Sequence, residues 1–242
     1  HPLAQELAAQ GKNGKPGPVL DNVIFYLDDG VVCGSADAVA FALKTLQTRA
    51  AELGLQLNLG KCELVAAGPV LSDSSRSLFP ERLLFDPRTQ QSRVSLNGNF
   101  DILGAPVGSA DHCAQHTRDR GEKSKSALEG IASLHDPQVA LRLLRRCHGF
   151  CKLVYSSRTV PSSFHKDELE AFDHLVRSVF IQFTHLGVSA PQWAQASRGL
   201  WCGGLGLRSS ANHAAAAYIA SCSATQKLCQ ELDSSFAPEC SR

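Results

Sequence analysis

Two adjacent carboxylates, Asp28 and Asp29, end an apolar run in the stretch NVIFYLDDGVVCGSAD, Asn22 to Asp37. One Asp before a Gly suits a surface turn. A second beside it puts like charges together at the end of a strand pair rich in β-branched and aromatic residues, and that asks for another reason. Hard cations supply one. Phosphoryl and nucleotidyl transfer uses two Mg²⁺ ions roughly 4 Å apart, one activating the attacking oxygen and the other stabilising the leaving oxygen. Mg²⁺ prefers carboxylate oxygens and keeps several of its waters. Carboxylates at a hairpin tip stand open to such ions on rigid strands, and the ions relieve the repulsion between them. The competing reading of the pair is a solvated turn.

The elements that would hold this pair can be read from residue periods. Asn22 to Tyr26 is predicted as a strand, Asp29-Gly30 as the hairpin turn, and Val31 to Gly34 as the returning strand. Ser35 suits the N-cap of a helix in which Val39, Leu43, Leu46, Ala50 and Leu53 recur at helical spacing, with Gly54 as its stop. LQLNLGKCELV then alternates as a strand with Gly60 as a bulge. Residues 22 to 65 therefore read strand, carboxylate turn, strand, helix, strand: an α+β sheet layer. Before it, HPLAQELAAQ reads as the end of a helix and GKNGKPGP as a loop; after it, Pro69 to Asn99 is an irregular connection and FDILGAPVG a short strand and turn. Beyond Gly108 the pattern turns helical, with helices expected near Ala114 to Leu134, Val139 to Tyr155, Glu168 to Leu186 and Asn212 to Leu232. The boundary falls at Gly108 to His112, giving domains 1–109 and 110–242.

Other chemistry-bearing residues have quieter readings beside the sharp ones. CHGFC carries Cys147, His148 and Cys151, but no second Cys/His pair stands at zinc-finger spacing. Cys147 and Cys151 share a predicted helical face with Leu143, Phe150 and Val154, where a thiol packs as a small hydrophobe. Opposite that stripe lie Arg142, Arg145, Arg146 and Lys152, four cations with no acid among them. That is either an ordinary solvated face or a phosphate contact. GGLGLR is not a dinucleotide loop, since it lacks the third Gly and a strand-then-helix setting. Trp193 and Trp201 read as packing residues; His165, His174 and His185 read as helix-surface histidines.

Composition bounds the class. The 242 residues carry a net charge of +1, 43% hydrophobic and 19% charged residues, which are globular values. Near-neutral charge argues against a domain that only coats nucleic acid, though not against a local basic face. No apolar run approaches the roughly 20 residues of a membrane span. Nine cysteines without framework spacing, and no leader pattern at the start, lead to the expectation of reduced thiols in an intracellular protein, nuclear or cytoplasmic.

FYLDDGVV resembles the tyrosine-x-Asp-Asp signature of reverse transcriptases, the RNA-directed DNA polymerases. Three later segments extend the resemblance in order: LNLGKCELV is similar to the family's next palm motif with its Gly-Lys pair, FDILGAPVGS to the primer-grip hairpin, and GGLGLRSS to a late stretch of non-LTR, LINE-like retrotransposon polymerases. The resemblance implies the C-terminal part of a polymerase palm, an antiparallel sheet with helices, followed by a mainly helical thumb. It implies Mg²⁺ as cofactor, with Asp28 the principal metal ligand, Asp29 the second acidic group and Tyr26 lining the site. Lys61 would stand near the incoming triphosphate as a charge stabiliser or proton donor, or simply be an exposed turn lysine; Leu103 and Gly104 would hold the primer terminus. Implied partners are an RNA template, a DNA primer or RNA–DNA duplex, and deoxynucleoside triphosphates. The family's first metal-binding Asp and its glycine-rich template motif precede the part of the pattern found here. A fragment, inactive alone, is therefore expected, with two alternatives: a non-catalytic nucleic-acid-binding remnant, or an inert structural relic.

Overall fold

The change from strand-like to helical patterning has its counterpart in the fold. The chain divides into two compact units, His1–Leu103 and Gly104–Arg242, and the division falls within FDILGAPVG rather than after it. The computed structural model describes residues 2–12, 15–27, 29–233 and 236–237. The class is mixed α+β, with helix predominating.

In the first unit, α1 (Pro2–Ala8), the antiparallel strands β1 (Asn22–Tyr26) and β2 (Asp29–Cys33), and α2 (Ala36–Glu52) share a small core. Leu7, Leu20, Ala38 and Ala42 are buried there, and Val23, Phe25 and Val32 pack half-buried against them. Alanines on that face of α2 let the helix lie close to only two strands. Ser35 caps the helix as expected, its hydroxyl accepting from the Ala38 N–H at 3.3 Å. Gly54 follows the helix end with φ +73°. Buried Gln10 donates from Nε2 to the carbonyls of Pro18 (2.6 Å) and Ala38 (3.1 Å), stitching the end of α1 and its loop to α2.

Ala40 lies about 200° round α2 from Ala38 and joins a second cluster with Phe79 and Leu84. The short helices α3 (Asp73–Arg76) and α4 (Glu81–Leu84) belong to this side of the unit. They also provide the crossover that parallel pairing demands: β3 (Leu64–Val65) and β4 (Val94–Ser95) are parallel, with Leu64 opposite Val94. β5 (Phe100–Ile102) is the last element. The expected single antiparallel layer is thus corrected to separate two-stranded pairs, one of them parallel. LQLNLGKCELV is strand only at Leu64–Val65. Asn58 is the reason: its Oδ1 accepts from the Gly60 N–H at 3.0 Å and its carbonyl from the Lys61 N–H at 2.9 Å, winding this stretch into a turn.

The second unit opens on β6 (Ala105–Val107) and continues in helices: α5 (Ala110–Lys123), α6 (Lys125–Ala132), α7 (Pro137–Leu143), α8 (Val154–Thr159), α9 (Lys166–Thr184), α10 (Ala190–Ala196) and α11 (Ser210–Leu232). The stripe predicted for α9, Leu169, Phe172, Val176, Val179 and Phe183, is buried, and Phe180 joins it. Leu128 and Ile131 of α6, Leu144, Leu153, Leu207 and Ala214 of α11 complete the same core. Asp136 caps α7 ahead of Pro137, accepting from the Gln138 N–H at 2.8 Å. Two predicted helices are broken. The one expected over Ala114 to Leu134 divides at Ser124 into α5 and α6. The one expected over Val139 to Tyr155 becomes α7, a π-helical turn over Leu144–His148, a 3₁₀ turn over Phe150–Lys152, and α8. Gly149 explains the break: at φ −92° and ψ −132°, a Cβ there would stand 2.7 Å from the Leu144 carbonyl oxygen.

Candidate functional site

The β1–β2 register pairs Tyr26 with Asp29 and Phe25 with Gly30. Asp29 and Gly30 therefore belong to the second strand and are not the turn, which corrects the sequence expectation. The reversal lies between Tyr26 and Asp29, where Leu27 has φ +55° and is 80% exposed. Glycine is needed at position 30 for a cross-strand reason: a Cβ there would stand 2.5 Å from the Phe25 ring, which covers the strand at that point. Asp28 lies outside the described residues. Asp29 is exposed beside Tyr26, itself 61% exposed, and its carboxylate makes no hydrogen bond or ion pair to another described residue. An exposed carboxylate without a cationic partner, on a paired strand, fits one hard-oxygen ligand position. A two-metal clamp needs more, and among the described residues no group of three or more His, Cys, Asp or Glu side chains is assembled to hold an ion. At the other end of the pair, burial first and the Asp21 charge second push the Cys33 thiol up.

Lys61 is exposed in the Asn58 turn. A residue not singled out from the sequence holds this turn: Arg93 donates to the carbonyls of Gly60 (2.8 Å) and Cys62 (3.3 Å), and also to that of Arg82 (2.9 Å). No local pattern announces this, because the partners lie about thirty residues apart in sequence. Leu103 and Gly104 take φ +49° and +74°. Gly104 has open space where a Cβ would be, so its backbone conformation alone favours glycine there.

In the second unit the broken helix redistributes the four expected cations. Arg142 ends α7, Arg145 and Arg146 lie in the π-helical turn, and Lys152 lies in the 3₁₀ turn, so they do not share one helical face. Arg142, Arg146 and Lys152 are exposed and Arg145 is half-buried. Cys147 and Cys151 are exposed too, against their expected place on the apolar stripe. Burial first, and then the Cys147 side chain, push the Cys151 thiol up, while Lys152 opposes this. Burial, followed by the Lys152 charge, holds His148 below its usual range.

Two further expectations are corrected by the fold. Trp201 does not pack: it is 83% exposed next to exposed Leu200, while Trp193 packs on the core with its ring 5.7 Å from Phe180. His165 is not a surface residue but 1% exposed. The Thr117 hydroxyl donates to the Cys113 carbonyl (3.1 Å), so its oxygen accepts from His165 Nδ1–H at 2.9 Å. That arrangement leaves Nε2 deprotonated, and it is buried with no partner among the described residues. Burial lowers the His165 pKa to about 4, against an opposing pull from Glu168. His174 and His185 are exposed, as expected.

Compared with known protein families, with curated proteins and with solved structures, the chain matches none. Among the described residues no helix is long and apolar enough to cross a membrane.

Proposed function

We propose that the chain forms the C-terminal part of the palm and the thumb of a reverse transcriptase similar to those of non-LTR, LINE-like retrotransposons. The parent reaction is template-directed addition of deoxynucleotides to a primer 3′-hydroxyl with release of pyrophosphate. One observation carries the reading: Tyr26 and the carboxylate of Asp29, unpaired among the described residues, stand exposed and opposite one another on an antiparallel pair, with Asp28 next in sequence. Mg²⁺ would be held by Asp28 and Asp29, and would supply charge stabilisation for the phosphoryl oxygens. Of the chain's own residues, Tyr26 would line the nucleotide site. Lys61, steadied by Arg93, would offer a cation to the triphosphate. Leu103 and Gly104 would support the primer end, and the second unit would grip the template–primer duplex.

The test is Mg²⁺-dependent primer extension on an RNA template by this chain joined to a palm segment carrying the family's first metal-binding Asp. Asp28→Asn is expected to abolish extension and Asp29→Asn to lower it. Full activity of the Asp28→Asn protein would overturn the hairpin as the metal site. A second reading, a non-catalytic nucleic-acid-binding module, is favoured by Arg142, Arg146 and Lys152, exposed cations that pair with no acid among the described residues. Duplex binding that survives Asp28→Asn, in a protein that never extends a primer, would select it.

A further inference from the structure

Helices α9 and α10 and the segment entering α11 enclose a groove of about 320 Å³ within the second unit. Two arginines line it, Arg177 and Arg208, and neither pairs with a carboxylate among the described residues. Its acid, Asp173, is already committed. The two carboxylate oxygens accept from Ser209 Oγ (2.6 Å) and from the backbone N–H groups of Ser210 (2.7 Å) and Ala211 (3.1 Å), capping α11. The helix start is therefore satisfied by the protein itself, and it is the guanidinium groups that have no anion among the described residues.

Both arginines are held in place. Arg177 donates from Nη2 to the Val188 carbonyl at 2.5 Å, and its Cζ stands 6.0 Å from the centre of the Trp193 ring, while its buried Nε has no partner among the described residues. Arg208 has its Cζ 5.9 Å from the centre of the Phe150 ring. A third cation arrives from the π-helical turn. The stem of Arg145 lies against Gly206, its Cδ 3.0 Å from where a Cβ would be, and Gly206 has φ +72°. Glycine at 206 thus serves two needs, a left-handed backbone and room for Arg145 beside the Arg208 segment. Asn212 adds an uncharged amide donor to the lining.

Planar guanidinium groups without acids, fixed by ring contacts and backbone bonds, match the oxygens of a phosphate better than those of any neutral ligand. Trp193 is already in contact with Phe180 and Arg177, so it serves the packing and not the stacking of a base. We propose that this groove is a phosphate-binding subsite, with Arg177 and Arg208 as its donors and Arg145 at its edge. The phosphate has two possible sources, the backbone of a nucleic-acid strand or a free phosphate monoester. The subsite does not rest on the polymerase reading, since no residue of the β1–β2 hairpin takes part in it.

The experiment uses the full chain carrying Trp201→Phe, so that Trp193 reports alone. Inorganic phosphate is titrated against chloride at constant ionic strength. A saturable change in Trp193 fluorescence is expected, weakened about tenfold by Arg208→Gln, as removal of one charge-assisted hydrogen bond implies, and left unchanged by Arg82→Gln in the other unit. Arg208 is exposed, so this variant is expected to keep the wild-type circular dichroism. Arg177→Lys tests the second donor while keeping its charge, and is expected to weaken binding because the planar fork is gone. Competition then identifies the source: displacement of phosphate by an RNA–DNA duplex indicates a strand, and displacement by deoxyadenosine 5′-monophosphate alone indicates a free monoester. No saturable response at constant ionic strength, or equal responses from the Trp201→Phe protein with and without Arg208→Gln and Arg177→Lys, overturns the subsite. Because the readout needs neither Mg²⁺ nor the hairpin, inactivity in primer extension leaves it standing, and its own failure leaves the extension test standing.

Discussion

His165 shows how much one side chain depends on its surroundings. Its folded pKa of about 4 lies below the ordinary 6.5, so the unfolded chain binds the proton first. The neutral ring's contribution is fully present above pH 6.5 and is lost as pH falls from there through 4. The full loss is on the order of 3 kcal/mol. Urea unfolding followed from pH 7 to pH 4 is expected to show the second unit weakening over that window. His165→Asn, which keeps a donor to Thr117 without a titrating ring, is expected to flatten that part of the profile; an unchanged profile would remove His165 as its source. Gly30 offers a second test of a single side chain's setting. Gly30→Ala pushes a methyl group into the Phe25 ring and is expected to cost about 1–3 kcal/mol, measured by chemical unfolding. Adding Phe25→Leu is expected to return part of that loss, because the obstacle is the ring and not the backbone.

Among the secondary-structure elements, the break at Gly149 matters most. A continuous helix would have kept Arg142, Arg145 and Arg146 on one outer face, with Cys147 and Cys151 turned inward. The glycine instead ends the π-helical turn, exposes both thiols and sets Arg145 against Gly206. Gly149→Ala is expected to destabilise the second unit by about 1–3 kcal/mol, since the added Cβ meets a carbonyl oxygen in a packed turn. Thermal unfolding monitored by circular dichroism checks it. The distributed cations make a separate prediction. Replacing Arg142, Arg145 and Arg146 together with Gln is expected to weaken RNA–DNA duplex binding and to flatten its dependence on log salt concentration by about 0.9 for each phosphate no longer neutralised. Unchanged affinity and slope would take these residues out of any nucleic-acid interface.

Across the whole molecule the two units differ in how much they bury. The second gathers Leu, Val, Ile and Phe around α9, whereas the first rests on two small clusters containing alanines of α2, one against β1 and β2 and the other against β3 and β4. Amides of α9 are therefore expected to exchange with deuterium most slowly and those of β1 and β2 much sooner, since exchange follows local burial. Mass-spectrometric exchange resolved by segment tests this, and equal protection of both would refute it. The same contrast marks what could be read from the sequence. The α9 stripe, the Ser35 and Gly54 ends of α2 and the strand on either side of the carboxylates were legible, because each depends on residue spacing or on a cap within a few residues. The stretch after Pro69 was not, since the short α3, α4 and β4 there are set by packing and by pairing with β3. The turn in NVIFYLDDGVV was misplaced, because Gly30 answers to a ring on the facing strand. The strand in LNLGKCELV was overextended, because the Asn58 turn competes with it locally and Arg93, far along the chain, holds the result. Burial of His165, exposure of Trp201 and the convergence of Arg177 and Arg208 on one groove had no signature at all. By itself the sequence determined the α+β class, the helices α2, α9 and α11 and the exposed setting of Asp29, since these follow from local backbone preference and hydrophobic period. Only the tertiary structure decided which polar groups are buried and which cations converge, because both depend on segments that meet in space from distant parts of the chain.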